Sequence, residues 1–169
     1  MSAILAGSKK FNKGFYIIEI LIVIAILIIA LTTLLGVATF SLKISSTMKE
    51  AAIADALVKD TIEAVRNFRD GTSWNTDGLG TVTPGSNYYP RLDTGFNPPK
   101  MVLAGGAEII NGFTRKVVFE RVSRNPTTQD IEGSYNPAND DPDTRKATAT
   151  ITWRDKKVEI ITYFTNWKK

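Results

Sequence analysis

Lys13-Gly14-Phe15-Tyr16-Ile17-Ile18-Glu19 opens the longest apolar run of the chain. From Phe15 to Leu31 every residue is apolar except Glu19. The run continues through Leu34, Leu35, Val37, Ala38, Phe40 and Leu42, diluted by Thr32, Thr33, Gly36, Thr39 and Ser41. A bilayer core needs roughly 20 apolar residues in helix, and this segment supplies them. An ionised carboxylate near a bilayer centre costs about 2.5–3.5 kcal/mol even on lenient insertion scales. A charge kept there needs a partner and a purpose, so Glu19 is the first candidate functional residue.

The residues ahead of the run carry Lys9, Lys10 and Lys13 and no acid. Basic flanks stay on the cytoplasmic side, which predicts a single-pass protein in the cytoplasmic membrane, its amino terminus inside and its carboxyl-terminal bulk outside. A cleaved secretory signal has an apolar core of about 7–15 residues and a small-residue cut site. This run is longer, Glu19 sits near its start, and Gly36-Val37-Ala38 is a weak cut site, so the signal reading is set aside. A plain anchor accounts for the length but not for Glu19.

A helix amino terminus holds about half a unit of positive charge, and Glu19 lies close enough to complement it. That is the bland account of the carboxylate. The sharper one pairs it with a cation on a neighbouring chain, where a buried ion pair sets register more than it adds stability.

Composition narrows the function classes. Without histidine the chain lacks the commonest general base and metal ligand, and sites built on it are excluded. Without cysteine no disulfide staples an exported domain. The formal charge is +4 over 169 residues; residues 1–14 contribute three lysines, so the remaining 155 are near +1. Nucleic-acid binding does not follow from that. No pair of acids stands in a setting that suggests catalysis, and no cofactor motif is present.

The helix is predicted to continue from Ser41 to Asp70. Ile44, Met48, Ala51/Ala52, Leu57/Val58, Ile62, Val65 and Phe68 recur close to the helical period, and Asp55–Lys59 is a favourable (i, i+4) pair. Gly71 reads as the stop. One helix from Phe15 to Asp70 would span roughly 84 Å. Its first half must find lipid or copies of itself. Gly36, which costs about 1 kcal/mol against alanine in a helix interior, is either a point of bending or a glycine tolerated in a membrane helix.

Thr72 to Lys100, rich in glycine and proline, reads as a long connection, with Trp74, Tyr88, Tyr89 and Phe96 packing it down. Asn111-Gly112 between Ala107–Ile110 and Phe113–Val122 is the strongest hairpin signal. A polar loop is expected from Ser123 to Thr144. Its acids Asp140, Asp141 and Asp143 lack the glycine and terminal glutamate of a calcium loop and read as solvated. Strands Ala147–Trp153 and Val158–Thr165 follow; in the second, Val158, Ile160, Thr162 and Phe164 oppose Glu159, Ile161, Tyr163 and Thr165, and one of the two faces is expected to lie on the long helix. Trp153 and Trp167 read as core or edge packing.

Gly14-Phe15 followed by Tyr16-Ile17-Ile18-Glu19, behind a basic leader, resembles the processing motif of type IV prepilins and type II secretion pseudopilins. The resemblance implies cleavage after Gly14 by a prepilin peptidase, N-methylation of Phe15, and Glu19 as fifth residue of the mature chain. It also implies that Glu19 meets the Phe15 amine of the neighbouring subunit. Many relatives carry a proline near the place of Gly36 and a carboxyl-terminal disulfide; this chain departs from both. Phe113–Val117, Ala149–Trp153 and Ile161–Trp167 are similar, more diffusely, to PilV-type minor pilins and the related GspI pseudopilins.

The expected architecture is α+β: a long amino-terminal helix packed against a small antiparallel sheet, as in the pilin fold. The segments are a leader (1–14), a membrane or filament-core helix (15–42), its amphipathic continuation (43–70) and a globular sheet domain (71–169). The expected role is a filament subunit, not an enzyme. Its partners by resemblance are the prepilin peptidase, other pilin subunits, an assembly ATPase and a platform protein, with membrane lipid before assembly. The rivals are an anchored binding module that never polymerises and an exported carboxylate enzyme.

Overall fold

The computed structural model describes residues 13–167, with side chains from Tyr16 onward. Met1 to Asn12, and so most of the expected leader, lie outside the described residues, as does everything beyond the backbone of Lys13, Gly14 and Phe15. The chain is α+β. Helix α1 runs Lys13–Gly71, and six antiparallel strands follow. They are β1 (Asn87–Asp93), β2 (Lys100–Gly105), β3 (Glu108–Ile110), β4 (Phe113–Ser123), β5 (Asp140–Trp153) and β6 (Lys156–Thr165). Their order is β2-β1-β4-β5-β6, with β3 pairing a free stretch of β4.

Two compact units divide the chain at Lys49 and Glu50, within α1. In the first, every described side chain from Tyr16 to Ser46 is exposed. The helix is continuous through Gly36, where an added Cβ would meet nothing within 4 Å. The hydroxyls of Thr32, Thr33 and Thr39 turn back onto carbonyls three and four residues earlier, at 2.8–3.1 Å. Such back-bonding hides their polarity inside the helix.

In the second unit α1 buries one stripe against the sheet. Ala54, Val58, Ile62, Val65 and Phe68 recur every three or four residues and are buried. They form one core with Val117 and Phe119 of β4, Ala147, Ala149, Ile151 and Trp153 of β5, and Phe164 of β6. The sheet side follows strand alternation: in β6, Phe164 is buried and Val158, Ile160 and Thr162 half-buried, while Glu159, Ile161 and Tyr163 are exposed. The stripe is narrower than the periodicity predicts, because Ala51 and Ala52 are exposed and Met48 is 66% exposed.

Turn chemistry matches the sequence at Asn111-Gly112. Both residues have positive φ, 50° and 84°, as a two-residue type I′ hairpin requires, and Ile110 pairs with Phe113. The β5–β6 turn is tighter than the four residues expected: Trp153 pairs with Lys156, leaving Arg154-Asp155 as the loop.

Two expected loops contain strand. The region read as a connection over Thr72–Lys100 holds all of β1, which pairs with β2 from Tyr88↔Gly105 to Asp93↔Lys100. β1 pairs with β4 only at Asn87 and Tyr88, so at Pro90 one edge is out of the ladder, where a residue lacking N–H is tolerated. The polar loop expected over Ser123–Thr144 ends early, because β5 begins at Asp140. Arg121 pairs with Arg145 but Val122 with Asp141. The skipped residues, Pro142 among them, form an irregularity on the β4 side, which accommodates a proline.

Three arginines fasten these irregular parts. Arg145, buried, donates to the carbonyls of Pro142 (3.2 Å), Thr144 (3.0 Å) and Gly80 (3.2 Å). Burial, and then the Arg121 charge, lower its pKa. Trp74 donates its indole N–H to the same Pro142 carbonyl at 3.0 Å, so the post-helix loop is tied to the start of β5. Arg124 is paired with Asp141. Burial pushes the Asp141 carboxyl up, but hydrogen bonds from Thr144, Arg124 and the Asp143 amide, with the Arg124 charge, hold it below the usual carboxylate range. Arg115 on β4 is the third, and it donates to the Pro90 carbonyl of β1 at 3.0 Å.

Candidate functional site

The apolar helix is the first candidate. Within the described residues from Tyr16, a helix of mean hydropathy 3.1 in its most apolar window is long and apolar enough to cross a membrane, and none of that window is buried. Eighteen large apolar side chains from Tyr16 to Leu42 would otherwise meet water, among them Ile17 (62% exposed), Leu34 (66%) and Leu42 (72%). Exposed apolar surface of this extent marks a lipid or protein interface.

Glu19 is embedded in that surface. It is exposed, and among the described residues its carboxylate makes no hydrogen bond or ion pair. It follows Phe15 by four positions, a spacing that places the two backbone positions on one face of the helix. The backbone at Gly14 and Phe15 is helical; the processing role expected of them falls on residues whose surroundings lie outside the described part. Gly36 lies on a helix surface open to close approach.

The acids of the Asp140–Asp143 segment are drawn into strand pairing, which corrects the solvated-loop expectation. Asp140 accepts from Tyr135 at 3.0 Å, Asp141 is held by Arg124, and Asp143 accepts from Asn166 at 3.0 Å. Among the described residues no group of three or more acids converges as a metal site would require.

The carboxyl-terminal tryptophans separate. Trp153 is buried, with its ring centroid 5.7 Å from that of Phe113, as packing predicts. Trp167 is 63% exposed and donates to Asp70 at 3.3 Å, so of the core and edge positions expected for it only the edge applies. It stands at the rim of a cleft of about 730 Å³ between the end of α1, the start of β5 and the residues after β6. Sequence reasoning missed this cleft, since Arg69, Asn75, Asp143 and Asn166 come from four separate segments. The only signal was a tryptophan just beyond the last apolar alternation.

Compared with protein-family models, with curated proteins and with solved structures, the chain matches none.

Proposed function

We propose that this chain is a structural subunit of a type IV pilus-like filament, a minor pilin or pseudopilin. In this reading a prepilin peptidase cuts after Gly14, and Phe15 becomes the N-methylated first residue. The helix first anchors the subunit in the membrane, with the sheet domain outside the cytoplasm. It then leaves lipid to pack against other helices in the filament core. The mechanism is assembly, driven by the machine's ATPase and platform protein, and no chemistry is asked of the chain.

The observation that carries the reading is Glu19: a carboxylate on the exposed apolar stretch of α1, with no partner among the described residues. In a stack of staggered helices the Phe15 amine of the neighbouring subunit would supply the cation. Pairing in that apolar setting is strongly directional, because leaving one partner alone costs about 3–5 kcal/mol. The same ion pair gives an incoming subunit its register.

The test is substitution of Glu19 in cells that carry the assembly machine. Glu19→Ala should leave membrane insertion and peptidase cutting in place and reduce incorporation into sheared surface filaments at least tenfold. Glu19→Asp should retain part of it. Wild-type incorporation by Glu19→Ala would contradict the assembly role of Glu19, and absence of the wild-type chain from sheared filaments would favour a single-pass anchored module that never polymerises.

A further inference from the structure

The cleft beneath Trp167 has a composition that selects a ligand class. Arg69, Asn75, Asp143, Asn166 and three hydroxyl residues line it beside Trp74 and Trp167, and among the described residues no aliphatic side chain does. Sites for apolar ligands are lined mainly by hydrophobic groups, so a greasy ligand does not fit. Arg69 and the neighbouring Asp70 are paired with each other at 2.8 Å and Asp143 is engaged by Asn166, so these groups offer neither an anion nor a cation an uncompensated counter-charge. What remains is a neutral molecule that both donates and accepts hydrogen bonds and presents one apolar face.

Trp167 supplies the surface for that face. Its indole N–H donates to Asp70 at 3.3 Å, which restrains the ring while 63% of the residue stays exposed. Tryptophan carries 150–250 Å² of buriable area, and this fold leaves most of it uncovered. The cleft floor is fixed in place. Asn166 is bonded to Asp143 through side chain and backbone, at 3.0 and 2.8 Å. The Arg69 guanidinium lies 5.5 Å from the Phe164 ring centroid. Asn75 is exposed, and its amide has no hydrogen-bond partner among the described residues. Amides and a carboxylate match the mixed donors and acceptors of sugar hydroxyls. The volume falls within the range of small-ligand pockets, about 300–1,000 Å³.

We infer that this cleft binds a neutral saccharide, with a pyranose ring stacked on Trp167 and its hydroxyls on Asn75, Asp143 and Asn166. All these residues lie after position 68, so the inference does not rest on filament assembly.

The test uses the full chain in phosphocholine nanodiscs, free of sugar-based detergent, titrated with maltose, lactose, cellobiose and N,N′-diacetylchitobiose by calorimetry and saturation-transfer NMR. At least one disaccharide should saturate with a Kd of about 1 mM or tighter. Trp167→Ala should weaken that binding at least tenfold, Trp167→Phe less, and Asn75→Ala several-fold. Tyr163→Ala, an exposed aromatic outside the cleft, should leave it unchanged. Near-UV circular dichroism checks the fold of each variant, and Asn75→Ala decides the matter should Trp167→Ala not fold. Absence of saturation with all four sugars, or binding unaffected by the cleft substitutions, would overturn the inference.

Discussion

Arg115 on β4 donates to the Asp60 carboxylate on α1 at 3.0 Å, through a side chain only 10% exposed. The same guanidinium holds Glu108 on β3 and the Pro90 carbonyl on β1 at 3.0 Å. It therefore stands where β1 leaves β4 and β3 takes over, and it supplies the donors that the interrupted ladder lacks. A cation this deeply placed is tolerated because several of its N–H groups are satisfied.

Removing it should be costly. Arg115→Ala leaves a buried carbonyl and the Glu108 carboxylate without their donor, and should destabilise the second unit by about 2–4 kcal/mol. Asp60→Ala removes a partner whose side chain is 66% exposed and should cost at most about 1 kcal/mol. Denaturant titration followed by tryptophan fluorescence separates the two; equal losses would contradict the asymmetry.

Two glycines should respond in opposite directions. A Cβ at Gly80 would lie 2.5 Å from the Trp74 carbonyl oxygen and 2.7 Å from its ring, and the Gly80 amide donates to that same oxygen at 2.9 Å. Gly80→Ala should cost roughly 2–4 kcal/mol and loosen the Trp74 loop. Gly36→Ala meets open space and should raise helix stability by up to about 1 kcal/mol. Thermal melts of both variants check the signs.

The Arg124–Asp141 pair predicts an acid-sensitive contribution. The folded-state pKa of Asp141 is lowered, so its stabilisation is fully present above the unfolded value of about 3.9. It is lost as pH falls through the lower folded value. Asp141→Asn should therefore be less stable than wild type by about 1–2 kcal/mol at neutral pH. The gap should close below about pH 4. A gap that widens in acid would reverse the assigned sign.

The parts of the fold legible in the sequence are those fixed by local rules. The α1 stripe at Val58, Ile62, Val65 and Phe68, the Asn111-Gly112 turn and the two-faced alternation of β6 each follow from periodicity or turn geometry within a few residues. The parts that were not legible are held by distant groups. β1 carries Pro90 and follows a glycine-rich stretch, and it forms because β2 pairs along it and Arg115 caps its gap. The start of β5 is acid- and proline-rich, a composition poor in strand propensity, and it extends because Arg124 and Arg145 secure it from elsewhere in the chain. Glu19 stood out because it breaks an apolar run. The Trp167 cleft did not, since no single segment carries it.

The central claim is that Glu19 answers a cationic chain start created at Phe15, and the intact mass and amino-terminal sequence of the protein recovered from cells with an active prepilin peptidase test it most directly. The account predicts a chain that begins at N-methylated Phe15. A chain that keeps Met1 to Gly14, or one cut beyond Glu19, would contradict it.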